Sequence, residues 1–347
     1  MTGSQTVAPA PAEVQKRRLS VGWLLAGGLL AVFVLISLLT MQTGVGSDKR
    51  IANPNPQPDP YGDFLGVGNW PMVMSVAFPI CLGAYGFWLY RKSRRLGALD
   101  PVVIVLAVVC SMSLMDPPGN WVTFTSFDPR FPHFPTSWFW MDFAPLVEPV
   151  PNFLGGYPFF YLSMSLISVG IYQRFIWPRA KPDGWMRRHP TWSLFLCGFA
   201  ICIPLDTLGQ LLFMTQRFYV YTQGWGPSIH MRGFSFPLLW GFYDWVLVGL
   251  TCALMHRNDR GQSTLLTAWA EKLPSRRAGD RQSVGRQILA GVLVANLTAA
   301  VLVGIYGVVR ISGLTHPTYD EYPYPTAKVY DPYGDLQDAG KSGPFYR

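Results

Sequence analysis

Two acidic residues, Asp206 and Asp244, lie inside apolar runs of the 347-residue sequence. A carboxylate near the centre of a membrane-spanning helix costs about 2.5–3.5 kcal/mol, so each should face a polar interior and have a partner. Two desolvated carboxylates that approach each other do not both ionise readily, so one of them keeps its proton. An acid beside a base is what proton-transfer catalysis requires. We predict that Asp206 and Asp244 are catalytic, with a structural hydrogen-bonded pair as the alternative.

Residues one helical turn from each acid, or on the same helix face, could orient a substrate. The aromatic segment 216–236, which holds Tyr219 and Tyr221, connects the two apolar runs and could close over both acids. The predicted substrate-binding residues of this region are Gln210, Arg217, His230, Trp240 and Tyr243.

A second candidate region extends over residues 116–135, where a few polar residues lie among Pro and aromatic residues. Polar groups between bulky rings could line the mouth of a site for a lipophilic, oxygen-rich ligand. We predict Asp116, Asn120 and Trp121 as substrate-binding residues, and the alternative is an aromatic belt at the membrane interface. One His with scattered Asp residues is not a ligand pattern, so we predict no metal. Nucleotide-binding, serine-hydrolase and zinc-protease motifs do not occur, and we predict no cofactor.

The elements that must position these residues are membrane helices. Half of the residues are apolar and 14% are charged, whereas soluble domains carry about 25% charged residues. A transmembrane helix needs about 20 mostly apolar residues, and seven runs approach that length: 21–41, 70–90, 101–115, 153–175, 191–215, 236–255 and 287–309. The predicted fold is an all-α, polytopic transmembrane bundle of about seven spans, with Pro- and aromatic-rich extracytoplasmic loops. Its parts are a cytoplasmic tail (1–20), the bundle (21–309) and an extracytoplasmic tail (310–347).

The distribution of basic residues predicts how the chain is oriented. Nineteen of the 28 Lys and Arg residues fall in the N-terminal tail and in every second connection after it. Cytoplasmic loops are enriched in Lys and Arg, so we expect a multi-pass cell-membrane protein with a cytoplasmic N-terminus and an extracytoplasmic C-terminus. The net charge of +8 then reflects orientation and not nucleic-acid binding. The expected partners are a lipophilic small-molecule substrate and membrane lipids, and the sequence names no protein partner.

Two segments of the chain resemble the actinobacterial AveC-like family, named for the spirocyclase of avermectin biosynthesis: DPPGNWVTFTSFDPRFPHFP at 116–135 and PLDTLGQ at 204–210. The resemblance covers roughly residues 21–325. It implies a membrane-embedded cyclase of secondary metabolism that converts a dihydroxyketone of a lipophilic polyketide, or a related lipid, into a spiroketal. The residues leave two alternatives open, a non-catalytic membrane scaffold of such a pathway and a small proton-coupled transporter.

Overall fold

The computed structural model describes residues 70–96, 99–127, 131, 156–231, 233–274 and 283–318, with isolated positions before residue 70 and short pieces after residue 318. The predicted tail 1–20 lies outside the described residues, as does the run 21–41 apart from isolated positions. The described chain is mostly helical, but it also contains short strands, so the expectation of an all-α fold was wrong in that respect.

Ten helices form in the described parts of the chain, and six of them contribute residues to the site described below. Their bounds are α1 Trp70–Leu96, α2 Pro101–Met112, α3 Asp116–Val122, α4 Gly156–Ile171, α5 Trp185–Arg188, α6 Pro190–Thr215, α7 Phe242–Leu254, α8 Thr264–Lys272, α9 Val284–Ile311 and α10 Asp335–Asp338. Helix α4 continues through a π-helical turn, Tyr172–Ile176, and a 3-10 turn, Trp177–Arg179. A second 3-10 turn, Ser113–Met115, joins α2 to α3.

Four of the described helices are long and apolar enough to cross a membrane: Met72–Leu96, Gly156–Arg179, Pro190–Thr215 and Val284–Ile311. Helices α2 and α7 are apolar but shorter. On α9 the exposed residues Leu289, Leu293, Leu297 and Val301 recur every fourth position, which gives one apolar face suited to lipid. The chain therefore has the features of a membrane protein, with four long apolar helices among the described residues instead of the seven spans expected.

Helix α2 corresponds to the shortest predicted run, 101–115, and lies in the interior of the bundle. All 12 of its residues are buried, and it packs mainly against α9 and α4. Asp100 caps its first turn by accepting a hydrogen bond from the Val102 N–H at 3.0 Å, and Pro101 occupies the first helical position, which suits proline. A helix that is apolar on every side is typical of a buried element. The shortest predicted run, 101–115, therefore corresponds to a helix that other helices surround, followed by the 3-10 turn Ser113–Met115.

Helices α6 and α7 pack more extensively against each other than any other two described helices, and they carry the two acids. A Cβ added at Gly198 would come 2.6 Å from the Cys252 sulfur, and one at Gly249 would come 3.0 Å from the Phe195 carbonyl oxygen. Small residues at such contacts allow two helix backbones to approach closely. The pair is antiparallel, so Asp206 on α6 lies at the end of the pair where α7 begins.

Short ladders form in the described segments, and β2 and β5 contact α6 near that end of the pair. The antiparallel ladders join β1 (Thr125–Phe127) to β2 (Tyr219–Tyr221), β3 (Gln223–Gly224) to β6 (His316–Pro317) and β4 (Ser228–Met231) to β5 (Phe234–Pro237), and a parallel ladder joins β7 (Val329–Tyr330) to β8 (Phe345–Tyr346). The predicted run 236–255 began too early, because Phe236 pairs with Ile229 in the β4–β5 hairpin. Helix α7 begins at Phe242, and Asp244 therefore lies in its first turn.

Candidate active site

The structure brings the two intrahelical acids together through one glutamine side chain. Gln210 lies one turn after Asp206 on α6, and its Nε2 donates a hydrogen bond to Asp206 Oδ1 at 3.1 Å. The same Nε2 donates to Asp244 Oδ2 at 3.4 Å. Because an amide nitrogen has two hydrogens, Gln210 can serve both carboxylates at once.

The two carboxylates occupy unequal environments. Asp206 is 1% exposed, and its second oxygen accepts a hydrogen bond from Trp245 Nε1 at 2.9 Å. Asp244 is half-buried and accepts a hydrogen bond from the Tyr161 hydroxyl at 2.8 Å. It lies at a helix N-terminus, where the helix dipole favours negative charge. Asp244 is therefore the more accessible of the two acids, and Asp206 is the more firmly held.

Two tyrosines from β2 fix the orientation of Gln210. The hydroxyls of Tyr219 and Tyr221 both donate to Gln210 Oε1, the latter at 3.3 Å. Burial raises the pKa of Tyr219 well above its ordinary value, and nearby Tyr221 and the two acids raise it further, so this hydroxyl keeps its proton. With its oxygen accepting from two hydroxyls, the Gln210 amide must direct its nitrogen toward the carboxylates.

A cavity of about 300 Å³ opens beside this network. Its volume is at the lower end of the range for small-molecule sites, about 300–1,000 Å³. Thirteen of its 24 described lining residues are aromatic: Phe78, Phe127, Tyr157, Phe159, Phe160, Tyr161, Phe213, Phe218, Tyr219, Tyr221, Trp240, Tyr243 and Tyr306. Its polar lining consists of both acids with Asn120, Thr123, Thr125, Ser163 and Gln210. In the described part of the chain, no three His, Cys, Asp or Glu residues lie together as possible metal ligands.

Six of the ten predicted site residues line this cavity. They are Asn120, Asp206, Gln210, Trp240, Tyr243 and Asp244. Sequence reasoning missed two hydrogen-bond donors of the acids, Tyr161 and Trp245. Trp245 directly follows Asp244 and could have been found by adjacency, whereas Tyr161 comes from α4, 83 residues away in the chain.

Three further predicted residues lie outside the described lining of the cavity. Trp121 lies against the guanidinium of Arg310, whose carbon is 4.6 Å from the Trp121 ring centre. His230 is exposed on the β4–β5 hairpin, with its Nδ1 2.9 Å from Ser235 Oγ. Arg217 follows the end of α6 with a left-handed φ of 54°. Helical spacing had placed Arg217 on the face of Asp206, but α6 ends at Thr215 and the chain turns away. The fourth, Asp116, begins α3, and its side chain lies outside the description.

Comparison with known protein families finds one match. Residues 93–330 fit the family described as Spirocyclase AveC-like, and this region contains every described lining residue of the cavity except Phe78. No curated protein and no solved structure matches the chain. Since the family match covers more than half of the sequence, the chain belongs to the AveC-like spirocyclase family.

Proposed function

We propose that this protein is a membrane-embedded cyclase that closes a lipophilic dihydroxyketone, of a polyketide or a related lipid, into a spiroketal with loss of one water. The observation that carries the proposal is the carboxylate pair of Asp206 and Asp244, joined by Gln210 on the wall of an aromatic cavity. Family membership supports a cyclase-type role. The pair supplies the proton donor and the proton acceptor that such a ring closure needs.

The first ring closes by addition of a hydroxyl to the ketone. One carboxylic acid of the pair protonates the ketone oxygen as the first hydroxyl oxygen bonds to the carbonyl carbon. The attacking hydroxyl gives its proton to the carboxylate partner. The product is a hemiketal, and the pair still holds one proton.

The second ring closes after water leaves. The acid protonates the hemiketal hydroxyl, the bond from carbon to that oxygen breaks, and an oxocarbenium ion remains. The second substrate hydroxyl bonds to the cationic carbon and passes its proton to the carboxylate. Each proton donated is thus recovered, and one water is the only by-product. Fixed negative charge and ring faces near the developing cation lower the barrier.

The unequal environments of the acids suggest unequal roles. Asp244, half-buried at the cavity wall, is the acid that protonates the ketone oxygen. Asp206, which receives two hydrogen bonds from neutral donors, is the carboxylate that accepts the proton of the attacking hydroxyl. Asn120 offers an amide that can orient a substrate oxygen, while Trp240 and Tyr243 cover the apolar part of the substrate.

The direct test is turnover of a synthetic long-chain dihydroxyketone by the purified protein in detergent at neutral pH. We expect a spiroketal enriched in one stereoisomer, detected by chiral chromatography with mass spectrometry. Asp244→Asn and Asp206→Asn should each slow turnover by about 100-fold or more, the usual contribution of acid–base groups. The matched control is Asp259→Asn, which changes an exposed acid in the loop after α7.

Two results would overturn the proposal. One is spiroketal formation no faster than in detergent alone, and the other is full activity in both cavity variants. Full activity of the host pathway with the two Asn variants, with partner proteins copurifying, would favour the scaffold instead. Proton-driven uptake of a lipophile into vesicles would favour the transporter.

The distribution of basic residues supports a further part of the proposal, that the protein lies in the cell membrane with its N-terminus in the cytoplasm. The ladders formed by β1 to β6 would then face the outside. Cysteines introduced at two exposed positions, His230 in the β4–β5 hairpin and Asp259 after α7, test this. A membrane-impermeant maleimide should label intact cells at position 230 and not at position 259, and the reverse pattern would invert the orientation.

A further inference from the structure

The charges around the cavity are all of one sign. Asp206 and Asp244 contribute carboxylates, and none of the described lining residues is Lys, Arg or His. The donors that reach the carboxylates are neutral: the Gln210 amide, the Trp245 indole and the Tyr161 hydroxyl. Among the described lining residues, no cationic side chain balances the negative charge of the two acids.

The remainder of the lining is mainly aromatic, and many of these rings are fixed by contacts with each other. Trp240 packs edge-on against Tyr306 with ring centres 5.0 Å apart, and Tyr219 packs in the same way against Tyr221 at 5.7 Å. Aromatic rings attract cations through their negative faces, and the attraction is strongest where water is excluded. Several rings around a negative group form the usual recognition site for organic ammonium ions.

We infer that this cavity is a binding site for a lipophilic organic cation, such as a quaternary or protonated amine of about the size of a two-ring spiroketal core. The inference rests on the proposed function and deepens it, because the oxocarbenium ion of that reaction is itself a cation. It extends the function to stable ligands. A cation that fits the cavity occupies it without reacting and competes with the substrate.

The test compares two molecules of the same shape, benzyltrimethylammonium, which is permanently charged, and neopentylbenzene, which is neutral. Equilibrium dialysis of the unmodified protein in a nonionic detergent measures binding of each, with a detergent-only chamber to correct for partition into micelles. We expect the cation to bind about tenfold or more tightly than its neutral isostere, as the strength of such contacts predicts.

The same comparison in variants locates the source of the preference. A single Asn substitution leaves one carboxylate that can ionise, so the double variant Asp206→Asn/Asp244→Asn is the informative one. We expect it to bind both probes equally, while Asp259→Asn keeps the preference. Equal binding of the two probes by the unmodified protein would overturn the inference even if the double variant does not fold, and so would an undiminished preference in a folded double variant.

The outcomes separate this inference from the proposed function. Loss of turnover in Asp244→Asn together with equal binding of the two probes would leave the cyclase standing and remove the cation site. A cation preference that depends on the two acids, together with unchanged turnover in the Asn variants, would keep the binding site and remove the catalytic assignment.

Discussion

Asp100 and Asp244 are both carboxylates at the start of an apolar helix, but they have opposite surroundings. Asp100 precedes α2 and forms ion pairs with Lys92 Nζ at 2.9 Å and Arg257 Nη2 at 2.8 Å. Asp244 lies in the first turn of α7 and has a tyrosine hydroxyl, a glutamine amide and a cavity beside it. Asp100 therefore joins segments of the chain, whereas Asp244 is accessible to a ligand in the cavity.

The electrostatics of Asp100 fit a structural role. Burial alone would raise the pKa of Asp100, but the hydrogen bond from Lys92, the Val102 N–H and the charges of Arg257 and Lys92 together lower it below its ordinary value. Lys92 belongs to α1 and Arg257 follows α7, so one carboxylate ties three parts of the bundle together. A buried acid that is already neutralised has no charge left for a ligand, whereas the cavity pair has.

The largest effect is expected when the two cavity carboxylates are given a cationic partner, such as Asp100 already has. Gln210→Lys places an ammonium group where the bridging amide now lies, and that cation would neutralise the pair. We expect turnover to fall by about 100-fold or more and benzyltrimethylammonium binding to be lost, while the protein stays folded. Gln210→Leu removes the bridge without adding charge and should retain cation binding. If the Lys variant still binds the cation, the charge of the pair is not what the ligand recognises.

A smaller effect is expected when the structural carboxylate is changed. Asp100→Asn keeps the shape of the side chain and its ability to cap α2, but it removes both ion pairs. We expect a loss of about 1.5–3 kcal/mol in stability, typical of a hydrogen bond to a charged group, and unchanged turnover at a temperature where the variant is folded. Thermal unfolding followed by circular dichroism measures this, with Asp244→Asn as the comparison. A larger stability loss for Asp244→Asn than for Asp100→Asn would contradict the division of roles.

The pH dependence of the free energy of unfolding at low pH gives a further test of the role of Asp100. Since the folded-state pKa of Asp100 lies below its unfolded value of 3.8, ionised Asp100 stabilises the fold above that value. This contribution is lost as the pH falls through the folded-state pKa. The unmodified protein should therefore lose stability more steeply below about pH 4 than Asp100→Asn does. An identical pH dependence in the two proteins would show that Asp100 does not link pH to stability.

The smallest effect concerns single tyrosine hydroxyls. Tyr161→Phe removes the donor to Asp244, and we expect turnover to fall about fivefold, equivalent to about 1 kcal/mol for one hydrogen bond. Tyr172→Phe is the matched control, because its hydroxyl pairs with Ser193 at 3.1 Å away from the cavity. Equal turnover in the two variants would argue that the Tyr161 hydroxyl does not position Asp244.

The pair of acids could be predicted from sequence because a carboxylate in an apolar run is costly and needs a partner. Asp206, Asp244 and Gln210 follow from that argument and from helical spacing. Tyr161 does not, since no local pattern indicates which residue of α4 will face α7. Arg217 was chosen because helical spacing placed it on the face of Asp206, and that spacing no longer applies after α6 ends at Thr215. His230 was chosen because its segment connects the two apolar runs, but it lies exposed on the β4–β5 hairpin.

The long apolar helices could be predicted from the sequence, whereas the short strands could not. A run of 20 apolar residues leaves few options, so α1, α4, α6 and α9 lie close to the predicted runs. The ladders involve only two to four residues per strand, and the paired strands of the β1–β2 and β3–β6 ladders come from segments that are distant in the sequence. The β1–β2 ladder pairs Thr125 with Tyr221, a contact that no periodicity in either segment indicates.

The close contact between Gly198 and Cys252 sets the distance between α6 and α7, the two helices that carry the carboxylate pair. Asp206 lies eight residues further along α6, about 12 Å at the rise of an α-helix, so a wedge at position 198 would tilt Asp206 relative to Asp244. Alanine, serine and cysteine at this position would then push α6 and α7 apart by increasing amounts. Substitutions at position 198 would then adjust the shape of the cavity from a position outside its described lining, which offers protein engineers a graded control of the ligands that fit.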